Sequence, residues 1–170
     1  MDFKTAVRNI PDYPVEGVLF RDITTLIKDG EYYPVLIEKI AESLKGYDVD
    51  AIVGPEARGF IMGAAVAYAL RVGFIPARKK GKLPCETESI EYDLEYGTAT
   101  IEIHKDAIKK GMKIAVVDDL LATGGTAKAV CKLIESMGGE VAALRFAIEL
   151  SDLGGREILS DYNVDAVIKY

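Results

Sequence analysis

Two adjacent carboxylates followed by a Thr-Gly-Gly-Thr turn are the densest chemistry in this sequence. Asp118 and Asp119 close an apolar run over residues 114–117, and Ala122, Thr123, Gly124, Gly125 and Thr126 follow before a helical pattern begins. An ionised carboxylate offers only acceptors, so the pair matches the two hydroxyl donors of a cis-diol. Glycine reaches backbone angles closed to residues that carry a Cβ. Successive N–H groups can then converge on one point, and a helix N-terminus behind them adds positive potential. Thr123 and Thr126 add hydroxyl donors, and Thr126 is placed to cap a helix over residues 127–137 that Gly138 and Gly139 would end. A phosphate nest beside a diol clasp reads as a site for ribose 5-phosphate.

Two other phosphate loops do not fit. A Walker A loop needs Lys directly before its final Ser or Thr, whereas Gly125 precedes Thr126 and no Lys lies in the turn. The dinucleotide fingerprint needs three glycines spaced Gly-x-Gly-x-x-Gly, which Gly124 and Gly125 do not supply. A plain strand-to-helix turn with solvated acids is the bland alternative. A Gly-Gly pair alone would favour it; the ordered succession of strand, acid pair and turn does not.

A second turn carries side-chain chemistry. Gly54, Pro55, Glu56, Ala57, Arg58 and Gly59 follow the apolar strand 51–53 and precede a small-residue helix over 60–70. Ligands of open α/β sheets bind at such carboxyl ends of strands. Arg58 offers a planar fork of donors and Gly59 permits close backbone approach, which suits a diphosphate. Arg78, Lys79, Lys80 and Lys82 crowd around Gly81, a local concentration of cations that suggests an anion partner, though charge runs are more often solvated loops.

These turns need a scaffold, and the pattern supplies one. A helical stripe at positions 33, 36, 37, 40, 41 and 44, strands at 51–53, 73–77, 114–117 and 141–148, and a last edge strand at 166–168 alternate with helices. That alternation predicts a mostly parallel sheet covered on both faces. Residues 98–104 alternate apolar and polar, the mark of a half-exposed strand that could pair antiparallel with the one before the basic loop. Residues 79–97 between them are long and polar, as lids or disordered loops are.

Composition sets bounds. The chain has 170 residues, 49% of them hydrophobic, enough for one domain with a closed core. With 21 Lys and Arg against 27 Asp and Glu, the net charge is −6, so a broad basic face for nucleic acid is not expected. No apolar run suggests a signal peptide or membrane span, which leads us to expect a cytoplasmic protein. Two cysteines and one histidine make neither a disulfide framework nor a metal cluster, and Cys131 reads as a small core residue.

The run from Val116 to Thr126 resembles the phosphoribosyl pyrophosphate motif of the type I phosphoribosyltransferase family. Ile10 to Pro14, Gly17 to Ile23, Glu56 to Phe60, Arg78 to Pro84 and Tyr92 to Gly97 also stand in the family's order, and they point to its adenine-specific branch. The resemblance implies the type I fold over 1–170: a central, mostly parallel sheet flanked by helices, an N-terminal hood at 1–32 and a flexible catalytic loop at 79–97. It implies transfer of the 5-phosphoribosyl group from 5-phosphoribosyl 1-pyrophosphate to adenine, giving AMP and pyrophosphate, in purine salvage. Asp118, Asp119, Ala122, Thr123, Gly124, Gly125 and Thr126 would hold the phosphoribosyl group. Glu56, Ala57, Arg58, Gly59, Arg78, Lys79 and Lys82 would hold pyrophosphate. Leu19, Phe20 and Arg21 would meet adenine, and Glu95 and Tyr96 would be the catalytic lid residues. Mg2+ would arrive on the substrate pyrophosphate without a protein metal site, and a homodimer follows from the basic loop's reach into a neighbour. Alternatives are a 6-oxopurine substrate (hypoxanthine, guanine or xanthine) and a non-catalytic phosphoribosyl pyrophosphate sensor.

Overall fold

The computed structural model describes residues 1–94 and 97–170. Near the N-terminus β1 (Arg8–Pro11) and β2 (Leu19–Asp22) form a separate antiparallel ribbon, with Ile10 opposite Phe20. Two helices, α1 (Thr24–Ile27) and α2 (Tyr32–Leu44), lead into the main sheet. The sheet comprises β3 (Ala51–Pro55), β4 (Gly73–Lys79), β5 (Thr87–Leu94), β6 (Gly97–His104), β7 (Lys113–Leu121), β8 (Glu140–Glu149) and β9 (Val164–Lys169). Their spatial order is β5-β6-β4-β3-β7-β8-β9, parallel from β4 through β9.

Helices cover both faces, as strands buried on both sides require. Successive side chains of a strand point oppositely, and β7 shows the result. Ile114 and Val116 join the core under α4 (Gly125–Ser136), while Ala115 and Val117 join the one under α2 and α3 (Arg58–Leu70). All four are fully buried, and each Val or Ile contributes about 1.5–3 kcal/mol by leaving water. The short helix α5 (Gly155–Ile158) packs beside α4. Cys131 lies in the α4 core, where burial pushes its thiol up to about 12.

The central ladder is short. β3 and β7 pair only from Ala51 opposite Ile114 to Val53 opposite Val116. Beyond that point β3 continues along β4 to Pro55 opposite Ala77, and β7 continues along β8 to Leu121 opposite Glu149. The sheet therefore forks at the carboxyl ends of its two middle strands, the switch point where open α/β sheets bind ligands.

Several sequence expectations change. The strand expected over 114–117 runs to Leu121, so Asp118 and Asp119 lie inside it, held in the ladder with β8. Half-buried and buried acids at such positions have no sequence signature beyond the break in hydrophobicity. The loop expected over 79–97 contains the eight-residue strand β5, which pairs with β6 from Thr87 opposite His104 to Leu94 opposite Gly97. Its polar residues fit an edge strand with a solvated face. The antiparallel pairing expected for residues 98–104 is present, with Arg78 opposite Glu102 and Lys79 opposite Ile101.

Candidate active site

A cavity of about 340 Å³ fills the fork, lined by residues 55–58, residues 118–127 and Phe146. Both turns singled out in the sequence thus open into one space. Phe146 is the lining residue that sequence reasoning missed; as a core position of β8 it carries no signal that would separate it from other buried aromatics.

The turn after β7 is made of backbone. Gly124 has φ +84° and is the residue preceding α4, with no side-chain cap. Thr126, expected to cap the helix, instead sits in its first turn and donates its hydroxyl to the Tyr92 hydroxyl at 3.4 Å. Glycine takes the cap place because the chain needs a left-handed residue there. The helix stop falls as expected: Gly138 N–H bonds the Glu135 carbonyl at 2.9 Å and Gly139 N–H bonds the Ile134 carbonyl at 3.0 Å.

Behind the turn stands a support absent from the sequence reading. A Cβ on Gly124 would lie 2.9 Å from the Gly155 carbonyl oxygen, and one on Gly155 would collide with the Ala122 carbonyl. Two glycine-bearing segments about thirty residues apart therefore meet backbone to backbone. Gly154-Gly155 was the available clue. The segment is tethered by Arg156, whose Nε donates to Glu149 Oε1 at 2.8 Å and whose Nη1 donates to the Val164 carbonyl at 2.7 Å. That ion pair holds the Glu149 carboxyl below its ordinary range.

The acid pair faces the second turn. Asp119 is buried at 5% exposure and its Oδ2 lies 2.6 Å from Arg58 Nε. Asp118 Oδ1 accepts the Asp119 N–H at 2.8 Å, and Gly59 packs on the same oxygen with no space for a Cβ. Burial lifts both carboxyls above the usual range, Asp118 well above it because the Asp119 charge adds to the burial, while Arg58 restrains the rise at Asp119. Burial and mutual repulsion thus oppose two full charges side by side, while the Arg58 guanidinium favours the charge on Asp119.

The turn after β3 is built from side chains. Glu56 faces the cavity and its Oε2 accepts Arg78 Nε at 2.8 Å, while Arg78 Nη1 donates to the Lys82 carbonyl at 3.1 Å. Arg78 is thereby locked to the turn, whereas Lys79, Lys80 and Lys82 are exposed. Ala57, directly before α3, lines the same space.

Leu19, Phe20 and Arg21 lie on β2, outside the residues lining the cavity. Phe20 meets Tyr13 edge to face at 5.2 Å, and the Arg21 guanidinium sits 4.0 Å from the centre of the Tyr170 ring. Tyr170 N–H bonds the Glu149 carbonyl and its own carbonyl accepts the Ser151 N–H, so this ribbon rests on the edge of the sheet from which the phosphate turn springs. Glu95 and Tyr96 lie outside the described residues. Among the described residues, no helix is long and apolar enough to cross a membrane.

The family described as phosphoribosyl transferase domain matches residues 34–168. An adenine phosphoribosyltransferase of Clostridium botulinum is 58% identical over 170 residues, covering 100% of this chain and 99% of the relative. Among solved structures, the adenine phosphoribosyltransferase of Thermoanaerobacter pseudethanolicus superposes with a TM-score of 0.95 at 51% identity, covering 99% of this chain and 98% of its own. The Saccharomyces cerevisiae enzyme, crystallised with an imino-altritol bisphosphate and adenine, superposes with a TM-score of 0.91 at 38% identity, covering 96% and 95%. The forked sheet, its two turns and these full-length likenesses agree: this chain belongs to the phosphoribosyltransferase family.

Proposed function

We propose that this chain is an adenine phosphoribosyltransferase of purine salvage, converting adenine and 5-phosphoribosyl 1-pyrophosphate into AMP and pyrophosphate. One observation carries the reading: an acid pair, a backbone phosphate nest and an arginine-bearing turn converge on a single cavity at the fork. Full-length identity to adenine enzymes selects the base.

In this reading the amides after Ala122 and the Thr123 and Thr126 hydroxyls hold the 5-phosphate. Asp118 and Asp119 hold the ribose hydroxyls. Adenine N9 attacks the anomeric carbon, the bond from that carbon to the pyrophosphate oxygen breaks, and the N9 proton is lost. The transition state carries positive charge on the ribose ring, so a charge held on the acid pair beside it accelerates the step through preorganised electrostatics. Arg58, Gly59, Arg78 and Lys82 neutralise the departing pyrophosphate. Phe20 stacks on the base, and the lid residues Glu95 and Tyr96 handle the proton and exclude water.

Mg2+ fits as a passenger on the substrate. It favours phosphate oxygens and retained waters over a protein cage, and the carboxylates lining the cavity are the adjacent pair, with Asp119 bonded to Arg58, and Glu56, bonded to Arg78. When bound it neutralises pyrophosphate charge. We further read the protein as a cytoplasmic homodimer in which the exposed Lys79 and Lys82 reach a neighbour's pyrophosphate; light scattering tests the assembly.

Incubating the protein with adenine, phosphoribosyl pyrophosphate and Mg2+ should yield AMP. A strong preference for hypoxanthine, guanine or xanthine would overturn the base assignment, and tight phosphoribosyl pyrophosphate binding with no turnover of any base would favour a sensor.

A further inference from the structure

The hairpin of β5 and β6 does more than flank the site. Tyr92, towards the end of β5, packs partly buried against the core beneath α4. Its hydroxyl accepts the Thr126 hydroxyl at 3.4 Å, and the next carbonyl, that of Asp93, would lie 3.6 Å from a Cβ on Gly125. A second cavity of about 430 Å³, lined by Tyr92, Thr126, Glu56 and Thr100 among others, runs along this contact, where the hydroxyl pair is a polar link between hairpin and phosphate turn.

A threonine hydroxyl has one hydrogen to give and two lone pairs to offer. In this structure that hydrogen goes to Tyr92. A phosphate monoester in the turn is a pure acceptor, so a bond from Thr126 to it uses the same hydrogen. The Thr126 oxygen is then left as an acceptor 3.4 Å from the Tyr92 oxygen, whose O–H can turn to fill it. We propose that Tyr92 is a positioning residue for the 5-phosphate: the Tyr92–Thr126 bond reverses polarity when phosphate binds, which aims the Thr126 hydrogen at the ligand and ties β5 to an occupied turn. This rests on the function proposed above, since it takes the ligand of that turn to be the ribose 5-phosphate group.

The test is a double-mutant cycle on binding. Affinities for ribose 5-phosphate and, separately, for pyrophosphate are measured by calorimetry in the wild type, Tyr92→Phe, Thr126→Val and the double variant, alongside AMP formation. Phenylalanine keeps the packed ring and removes only the hydroxyl. Tyr92→Phe should weaken ribose 5-phosphate roughly three- to tenfold, the scale of one neutral hydrogen bond, leave pyrophosphate affinity alone, and raise KM for phosphoribosyl pyrophosphate more than it lowers kcat. With Thr126→Val already present, Tyr92→Phe should cost little more. Unchanged ribose 5-phosphate affinity in Tyr92→Phe, equal loss for both ligands, or additive losses in the double variant would overturn the inference. A wild-type protein that forms AMP while Tyr92→Phe binds normally would sink this proposal and leave the function standing; a wild type that makes no AMP would sink the function itself.

Discussion

The turns after β3 and β7 occupy equivalent places on neighbouring parallel strands, yet they are built from different materials. The β7 turn uses backbone: a left-handed Gly124, the amides opening α4, and a glycine backstop at 155. The β3 turn uses ionic side chains, with Arg58 bonded to Asp119 and Arg78 bonded to Glu56. Fixed amides cannot adapt, so the first turn suits a group that stays in one position throughout a reaction. Arginines held by carboxylates can exchange partners as charge moves, which suits a group that departs. The difference matches a substrate whose 5-phosphate is an anchor and whose pyrophosphate is a leaving group.

The contrast breaks most sharply at Gly155. Gly155→Ala pushes the Ala122 carbonyl and shifts the amides, so affinity for ribose 5-phosphate should fall on the order of 100-fold, with pyrophosphate binding unchanged. Calorimetry with the two ligands decides it, and equal losses would erase the division between the turns. Arg58→Ala attacks the other turn. Pyrophosphate affinity should fall roughly 10- to 100-fold, as expected for a charged hydrogen-bonding partner, with a much smaller change for ribose 5-phosphate. Removing that cation also lets the Asp119 carboxyl rise further, which NMR titration can follow.

A smaller effect sharpens the comparison through stability. A carboxyl with a raised folded pKa supports the fold in its protonated form; that contribution is complete below about pH 4 and is lost as pH rises through the raised value. Asp118→Asn removes the strained charge, so at neutral pH it should abolish most turnover yet raise Tm by about 2–4 °C, the scale of ~1 kcal/mol in a chain this size. The gain should shrink as pH is lowered. Scanning calorimetry across pH checks it, and a variant less stable than wild type at neutral pH would refute the assignment.

Smallest of all is the effect at the N-terminal ribbon. Hydrogen bonds from Thr24 and then Arg8 hold Asp22 down to about 2. This support is present above about pH 4 and lost as pH falls towards 2. Asp22→Asn should therefore lower Tm by about 1–2 °C at neutral pH, the scale of ~0.5 kcal/mol for a solvent-screened pair, with the difference vanishing in acid and phosphate affinity untouched.

The two turns were legible to different degrees for the same reason they differ. The order of strand, acid pair and Thr-Gly-Gly-Thr makes the strand–turn–helix with its left-handed glycine legible. What braces that turn was illegible: Gly155 acts by lacking a side chain, and Tyr92 by a single oxygen on a strand that reads as a polar loop. Ion pairing was equally hidden, since nothing in the spacing of Arg58 and Asp119 shows that they face one another across the fork. The parallel sheet was plain from its apolar runs. The extension of β7 through both acids was not, because hydrophobicity stops at Val117 while the ladder continues to Leu121.

The split between β3 and β7 also works as a caliper. Each jaw is pinned by an outer strand, β3 by β4 and β7 by β8, so the span between the two proposed anion grips is set by hydrogen-bonded sheet and not by loops that could yield. A sugar donor with one carbon more or fewer between its phosphoryl groups would seat one end and miss the other. If the two turns grip the sugar donor as proposed, selection for a pentose would begin in sheet geometry before any hydroxyl is inspected, and loop redesign alone should not retune it.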